Sequence, residues 1–417
     1  MTSRGVCKWR FILKIAGVYI CITLGYQLVK LSMNQLKTHA NSNYVRASQS
    51  FLNQTTTLAR VTHRGVTTTG YDRANYLRQA CQSAMIHQVG KQVRVSYDPN
   101  YKIMYCPLCK LASTFWTRVF KMVELNSMEN TNEHLLTPFD VPISKARRSE
   151  LYYNIQDGSI TKYGDAKDSF KFVVVRNPYG TLFSAFVDKL VGPNPFFWRS
   201  FGTPATANRK SKVCGSDVTF EEFLRYVVKT HKAKKQQDCH VANFDACHPC
   251  GMNYTYVFTM ETFKDDTIHI LKLFNQTQTL KEFETKFSDY HAHDAIDDST
   301  SGPYSWKPSI TKCISWHTAL QGIWRKLQIR GVISNNETFP LKEEESMDIG
   351  RKGFIKVLSE ARKRSGKFDS SKQKKDEYIK MFTQVPVDVL ESVREIYLKE
   401  FKLFGYDDHP AELFVRA

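Results

Sequence analysis

Lys110 sits in a stretch with the means to hold an anion: Cys109-Lys110-Leu111-Ala112-Ser113-Thr114, followed by Phe115, Trp116 and Arg118. The ammonium supplies a full positive charge and Ser113 and Thr114 supply hydroxyl donors. If a helix begins here, its free backbone N–H groups and the positive end of its dipole add to both. A second anion-binding arrangement lies downstream in Arg176-Asn177-Pro178-Tyr179-Gly180-Thr181-Leu182-Phe183-Ser184. A guanidinium grips a phosphate by two parallel hydrogen bonds, and Ser184 stands eight residues on. A group transfer to a hydroxyl would also need a base, and histidine titrates in the right range. His134 and His240 are the two candidates. The first loop lacks the G-x-x-x-x-G-K-[ST] spacing, which argues against an ATP or GTP P-loop.

These groups need strands and helices to aim them. The apolar run Lys102–Cys106 follows the Asp98-Pro99-Asn100 turn and predicts a short strand. Trp116, Val119, Phe120 and Val123 recur at helical spacing and predict a helix, with Ser113 or Thr114 as its N-cap. Phe170–Val175 reads as a buried strand, Arg176–Tyr179 as a turn, and Leu182, Phe183, Phe186 and Leu190 as the apolar face of the next helix. Further helices are expected around Ala74–His87, over Phe220–Thr230 with Thr219 as cap, over Asp265–Phe274, and over Val387–Phe404 closed by Gly405. Tyr254–Met260 is a candidate strand. Residues 192–217 read as a mobile loop near the site, and residues 290–312, with Asp294, Asp297, Asp298, Gly302, Pro303 and Pro308, as loop-like. Strands alternating with helices, with anion loops at strand C-termini, imply an α/β fold with a central parallel sheet.

The 417 residues carry 59 Lys and Arg against 41 Asp and Glu, a formal charge of +18 that points to an anionic partner. Charge alone does not separate nucleic acid from an anionic glycan. The amino terminus decides the compartment. Arg4, Lys8 and Arg10 precede an apolar run, Phe11–Val29, near the lower length limit for a membrane span. We expect residues 1–10 to be a cytoplasmic tail, 11–29 a retained signal-anchor, 30–70 a lumenal stem and 71–417 the catalytic domain. A lumenal chain meets no nucleic acid. Asn53, Asn253, Asn275 and Asn336 begin glycosylation sequons. Cys81, Cys106, Cys109, Cys214, Cys239, Cys247, Cys250 and Cys313 make an even lumenal set suited to disulfides. A zinc site built on Cys247-His248-Pro249-Cys250 is the weaker reading, so no metal is expected. Ten Lys or Arg between residues 351 and 375 read as a solvated insertion or as a contact for a sulfated or uronate-bearing glycan.

Taken in order, these stretches resemble the Golgi carbohydrate sulfotransferases, in the family that includes the chondroitin and dermatan 4-O-sulfotransferases. Cys109–Arg118 resembles that family's 5′-phosphosulfate loop, and Arg176–Ser184 its 3′-phosphate motif. Val218–Phe223, Cys247–Cys250 with Glu261-Thr262, and the ending Tyr397–Tyr406 resemble later landmarks. The resemblance implies a P-loop-like sulfotransferase fold, 3′-phosphoadenylyl sulfate (PAPS) as donor and a glycan hydroxyl as acceptor. It implies a single-pass type II Golgi membrane protein with its catalytic domain in the lumen; whether it forms a homo-oligomer is left open. Lys110 would bind the 5′-phosphosulfate and Arg176 with Ser184 the 3′-phosphate, and Arg118 could assist. His134, between the two motifs, is placed ahead of His240 as base. Cys109, Phe115, Thr117, Asn177 and Gly180-Thr181 depart from the family pattern. A catalytically inactive lumenal glycan-binding protein on the same scaffold is the competing reading; a phosphotransferase is the third.

Overall fold

The computed structural model describes residues 61–63, 66–84, 92–128, 136–147, 152–156, 159–160, 164–209, 213–235, 237–242 and 244–415. The expected tail, anchor and stem lie outside these residues, except for the last residues of the stem. Among the described residues no helix is long and apolar enough to cross a membrane. The strands in chain order are β1 (Val61–His63), β2 (Val66–Thr68), β3 (Val93–Asp98), β4 (Ile103–Cys106), β5 (Tyr152–Gln156), β6 (Ser159–Ile160), β7 (Gly164–Asp165), β8 (Phe170–Val175) and β9 (Tyr256–Thr259). The main helices are α1 (Gly70–Ser83), α2 (Ser113–Met128), α3 (Pro178–Phe186), α4 (Phe220–Lys232), α5 (Phe263–Leu273), α6 (Thr277–Ser305), α7 (Trp316–Ile329), α8 (Arg351–Arg364), α9 (Ser370–Phe382) and α10 (Val387–Phe404).

β8 is the spine of the main sheet, and five of its six residues are buried, as a strand covered on both faces requires. It pairs in parallel with β4 on one side and with β9 on the other. The full order is β7-β6-β5-β3-β4-β8-β9. The expectation of a parallel sheet therefore holds for β4, β8 and β9 only. β3 pairs antiparallel with both β4 and β5, and β6 and β7 extend that antiparallel half. The physical reason is local: the Asp98–Lys102 turn is too short for a crossover, so β4 must fold back beside β3. Asp98 secures that turn by accepting hydrogen bonds from the N–H groups of Asn100 (2.9 Å) and Tyr101 (3.0 Å).

The strand–loop–helix after Lys102 is fixed by aromatic contact. Tyr105 of β4 and Trp116 of α2 both meet Phe172 of β8, with ring centroids 4.9 and 4.8 Å away, and Trp116 also meets Phe258 of β9. Burying aromatic rings of this size is worth roughly 2–3 kcal/mol each. α2 begins at Ser113, so neither Ser113 nor Thr114 caps it from outside; Ala112, in left-handed backbone, precedes it. α10 spans the residues expected and ends at Gly405, whose φ of +68° suits glycine.

Two stretches depart from their expected loops. Residues 290–305 belong to α6, whose Ala292, Ala295 and Ile296 pack into the core although the stretch is rich in Asp, Gly and Pro. Pro303 lies inside the helix near its C-terminal end, where it removes one intrahelical hydrogen bond. Residues 192–217 include short helical turns that bury Phe197, Trp198 and Phe201, and Cys214 bridges to Cys313. The basic run folds into α8 and the start of α9. Arg351 pairs with Asp297, and Arg362 with Asp289 at 2.8 Å, so part of the run ties α8 to α6.

Candidate active site

β4, β8 and β9 run side by side and end at one edge of the sheet. The first anion loop leaves from Cys106, Arg176 from Val175, and Glu261-Thr262 follows Thr259. Adjacent strands lie about 4.8 Å apart, so the two anion stretches start as neighbours. This edge is where open α/β sheets place their ligands.

In the first loop, Lys110 and Ala112 adopt left-handed backbone, with φ of +67° and +56°. Such positions cost about 1–3 kcal/mol each outside glycine and gather at functional sites. The N–H groups of Ser113, Thr114 and Phe115 open α2, and no hydrogen bond to them is found among the described residues. Lys110 Nζ lies 2.8 Å from Asp188 Oδ2, with the lysine side chain 16% exposed. Asp188 belongs to the π-helical turn Val187–Val191, which continues α3. The same carboxylate meets Lys326 of α7 at 2.6 Å and Lys189 at 3.0 Å. Burial alone would raise the Asp188 pKa, but these three ammonium groups hold it well below the usual carboxylate range. Burial pulls Lys110 down to about 8, against the attraction of Asp188.

Arg176 is arranged differently. No hydrogen bond or ion pair to its guanidinium is found among the described residues, and burial pulls its pKa down while Glu261 opposes through space. A Cβ at Gly180 would lie 3.0 Å from Arg176 Nε, so glycine there leaves the guanidinium its room. Lys374 of α9 is another neighbouring cation; its pKa is lowered by burial, then by Arg176 and Arg330. A cleft of about 450 Å³ opens here, lined among others by Leu108, Cys109, Arg176, Thr181, Tyr397 and Glu400. Lys110 does not line it, because its ammonium turns to Asp188.

The other residues of the two motifs cap, pack or line the cleft. Asn177 caps α3 by accepting from the Tyr179 N–H at 2.9 Å, with Pro178 in the first turn. Tyr179 is buried and donates its hydroxyl to the Asp408 carbonyl at 2.9 Å; Leu182 and Phe183 are core. Thr181 lines the cleft, and Ser184 is half-buried on α3. Leu111 is buried, and Phe115 meets Phe139, Phe263 and Phe283 ring to ring. Arg118 is held by Asp294 of α6 and so serves as a brace.

The eight cysteines from Cys81 to Cys313 all pair: Cys81–Cys250, Cys106–Cys247, Cys109–Cys239 and Cys214–Cys313. The zinc alternative fails on this point, since Cys247 and Cys250 each bridge elsewhere. Cys109, Cys239 and His240 cluster closely, but two of the three are bonded to each other and offer no thiolate. The Cys109–Cys239 bridge has one consequence for chemistry: it fastens the residue before Lys110 to the residue before His240. His240 Nδ1 lies 2.5 Å from Asp238 Oδ1. An Nδ1–H donated to that carboxylate leaves Nε2 free to accept a proton. Burial works to raise the Asp238 pKa, and the hydrogen bonds from His240 outweigh it. The His240 ring also meets Phe197, whose face carries Lys189 Nζ 5.2 Å from its centroid. His134 lies outside the described residues.

Sequence reading missed Asp188, Lys189 and Lys326, which surround Lys110, and Glu400, which lines the cleft. Asp188 and Lys189 stand four and five residues after Ser184, one helical turn beyond the Arg176–Ser184 motif, a signal within reach of the sequence. Lys326 and Glu400 carry none, because a charged residue in an amphipathic helix reads as solvated. Glu400 is instead buried, with its pKa pushed up to about 7, and accepts from the Phe244 N–H at 3.3 Å.

Known proteins are similar to this chain in sequence. Carbohydrate sulfotransferase 11 of Rattus norvegicus is 27% identical over 194 residues, covering 44% of this chain and 53% of that protein. Carbohydrate sulfotransferase 9 of Homo sapiens is 27% identical over 239 residues, 53% of this chain and 51% of that protein. Carbohydrate sulfotransferase 12 of Mus musculus is 24% identical over 274 residues, 58% and 65% respectively. The chain spans about half the length of the first of these relatives. No solved structure matches. The model of the sulfotransferase family matches residues 93–322, more than half of the chain, from the start of β3 into α7 and across both anion stretches. The chain therefore belongs to the sulfotransferase family.

Proposed function

We propose that this protein transfers a sulfuryl group from PAPS to a glycan hydroxyl in the Golgi lumen. The acceptor is a chondroitin- or dermatan-like chain, or a related one containing N-acetylgalactosamine and uronate. The observation that carries the reading is the half-buried Arg176 guanidinium in the cleft wall, without a bonded partner among the described residues, one strand away from the Lys110 loop. A guanidinium that lines a cleft without a bonded partner is open to a phosphate, which it grips by two charge-assisted hydrogen bonds. The residues present fit a nucleotide with phosphate at one end and phosphosulfate at the other.

PAPS supplies the sulfuryl group and a stable leaving phosphate; the chain supplies position and charge. Arg176 and Ser184 hold the 3′-phosphate. Lys110, the Ser113 and Thr114 hydroxyls and the free N–H groups of α2 hold the 5′ end. His240 Nε2, oriented by Asp238, takes the acceptor's proton; Asp188 is a poor base because its lysines hold its pKa well below the usual carboxylate range. Four disulfides and the exposed asparagines of three sequons, Asn253, Asn275 and Asn336, suit an oxidising, glycosylating lumen. A type II signal-anchor at residues 11–29, a stem to residue 70 and a catalytic domain beyond it complete the reading.

The test is calorimetric binding of adenosine 3′,5′-bisphosphate, then labelled-sulfate transfer to chondroitin, dermatan and desulfated heparan. Binding with transfer to at least one chain is expected. Binding without transfer to any glycan would leave an inactive scaffold, and no binding would end the reading.

A further inference from the structure

We propose that Lys326 is a second catalytic cation of the sulfuryl-transfer site, held beside Lys110 by Asp188 as a positioning residue. The inference rests on the proposed sulfuryl transfer and names a further residue for it. Lys326 lies beyond the matched family region, which ends at residue 322.

The geometry is a fork. Asp188 Oδ2 takes Lys110 at 2.8 Å, and Oδ1 takes Lys326 at 2.6 Å, so one carboxylate holds both ammonium groups on its two oxygens. Lys189 adds a third at 3.0 Å. The side chains of Lys110, Lys326 and Asp188 are 16%, 6% and 14% exposed. One carboxylate can neutralise one ammonium. The cluster therefore holds an excess of about two positive charges in a poorly solvated place, an arrangement that favours an arriving anion. Asp298 is the only other carboxylate paired with Lys326 among the described residues; it is 3.9 Å away and 61% exposed. A Cβ at Gly192 would come 2.9 Å from Lys326 Cδ, so the lysine stem is threaded past a glycine to reach this spot. Its neighbours on α7, Ile323 and Leu327, are core, so Lys326 is directed inward.

In the transfer, the acceptor oxygen bonds to sulfur as the bond between sulfur and the 5′-phosphate oxygen breaks. The acceptor's proton passes to His240 Nε2, and the electron pair of the broken bond stays on the phosphate. Lys110 alone offers one positive charge to that phosphate; Lys326 makes it two. Asp188 keeps the pair together before the donor arrives.

The experiment uses the full chain with Lys326→Met, Lys326→Gln, Lys326→Arg and Asp188→Asn. The concentration of folded sites is counted by bound adenosine 3′,5′-bisphosphate. Per folded site, Lys326→Met should lower kcat about 100-fold, with a smaller change in the KM for PAPS, and Lys326→Arg should restore most of it. Asp188→Asn should move the alkaline limb of kcat/KM to lower pH. Lys110 would then face only Lys189, Lys326 and Arg330, and would lose its proton sooner. If Lys326→Met does not fold, Lys326→Gln, which keeps a donor to Asp188, should show the same loss. A wild-type kcat per folded site in either neutral variant, or an alkaline limb unmoved in Asp188→Asn, overturns the proposal. In both cases a wild-type protein that binds and transfers leaves the broader function standing; failure of the wild type itself strikes that function instead.

Discussion

The two proposed anion cups at the sheet edge are built on adjacent parallel strands yet are balanced in opposite ways. At the end of β4, Lys110 already has a carboxylate partner, and Asp188 is shared among three lysines. At the end of β8, Arg176 has no bonded partner among the described residues and feels Glu261 only through space. A pre-paired cation changes partner when a ligand enters, so its net gain on binding is small. It can still act strongly when new charge develops in the transition state. A bare, half-buried guanidinium gains its full charge-assisted hydrogen bonds on binding. The difference teaches a division of labour: the Arg176 cup should set donor affinity, and the Lys110 cup should set rate.

Neutralising each cup can break that division. Lys110→Met should cut kcat by about 100- to 1,000-fold while changing bisphosphate affinity far less; equal losses in both would merge the two cups into one. Arg176→Met should weaken bisphosphate binding by about 10- to 100-fold, as expected for lost charge-assisted bonds. In the absence of nucleotide the same variant should melt no lower than the wild type, because it removes a half-buried, partly desolvated charge that has no bonded partner among the described residues. The pH profile sharpens the comparison. Lys110 is cationic below about 8 and loses its proton above it, so kcat/KM should fall toward tenfold per pH unit on the alkaline side. Arg176 stays charged throughout and contributes no limb.

The smallest effect concerns Glu400 in the cleft wall. Its folded pKa, about 7, lies above the ordinary 4.5. Between those values the unfolded chain releases a proton that the folded protein keeps, so stability is present at low pH and lost as pH rises through 7. Glu400→Gln should flatten this dependence and raise the melting temperature more at pH 8 than at pH 5, with an upper bound of about 3 kcal/mol. Equal shifts at both pH values would show that the carboxyl is not the source.

What the sequence could convey depended on how local the cause was. β4, the anion loop and α2 were legible because turn chemistry and a 3.6-residue period lie within one stretch; so were α4 with its Thr219 cap and α10 with Gly405. α6 was not, because its Asp, Gly and Pro content argues for a loop and only contact with the core keeps it helical. The antiparallel half of the sheet escaped because β5, β6 and β7 are short and polar. Within the site, the charges that began each loop were visible, whereas Lys326 arrives from a helix more than two hundred residues away from Lys110. Its alignment with Asp188 is a tertiary fact with no local trace.

The stretch from Asp238 to Cys250 contains little regular structure beyond the turn Phe244–Cys247, yet it walls the cleft and presents His240. It is instead riveted at three places, to Cys109, Cys106 and Cys81. Covalent fastening has therefore replaced ladder hydrogen bonds as the source of its shape. Protein made in a reducing cytosol should keep its sheet but lose this wall and, with it, the placement of His240. Secretory expression is the condition under which the chain can be judged.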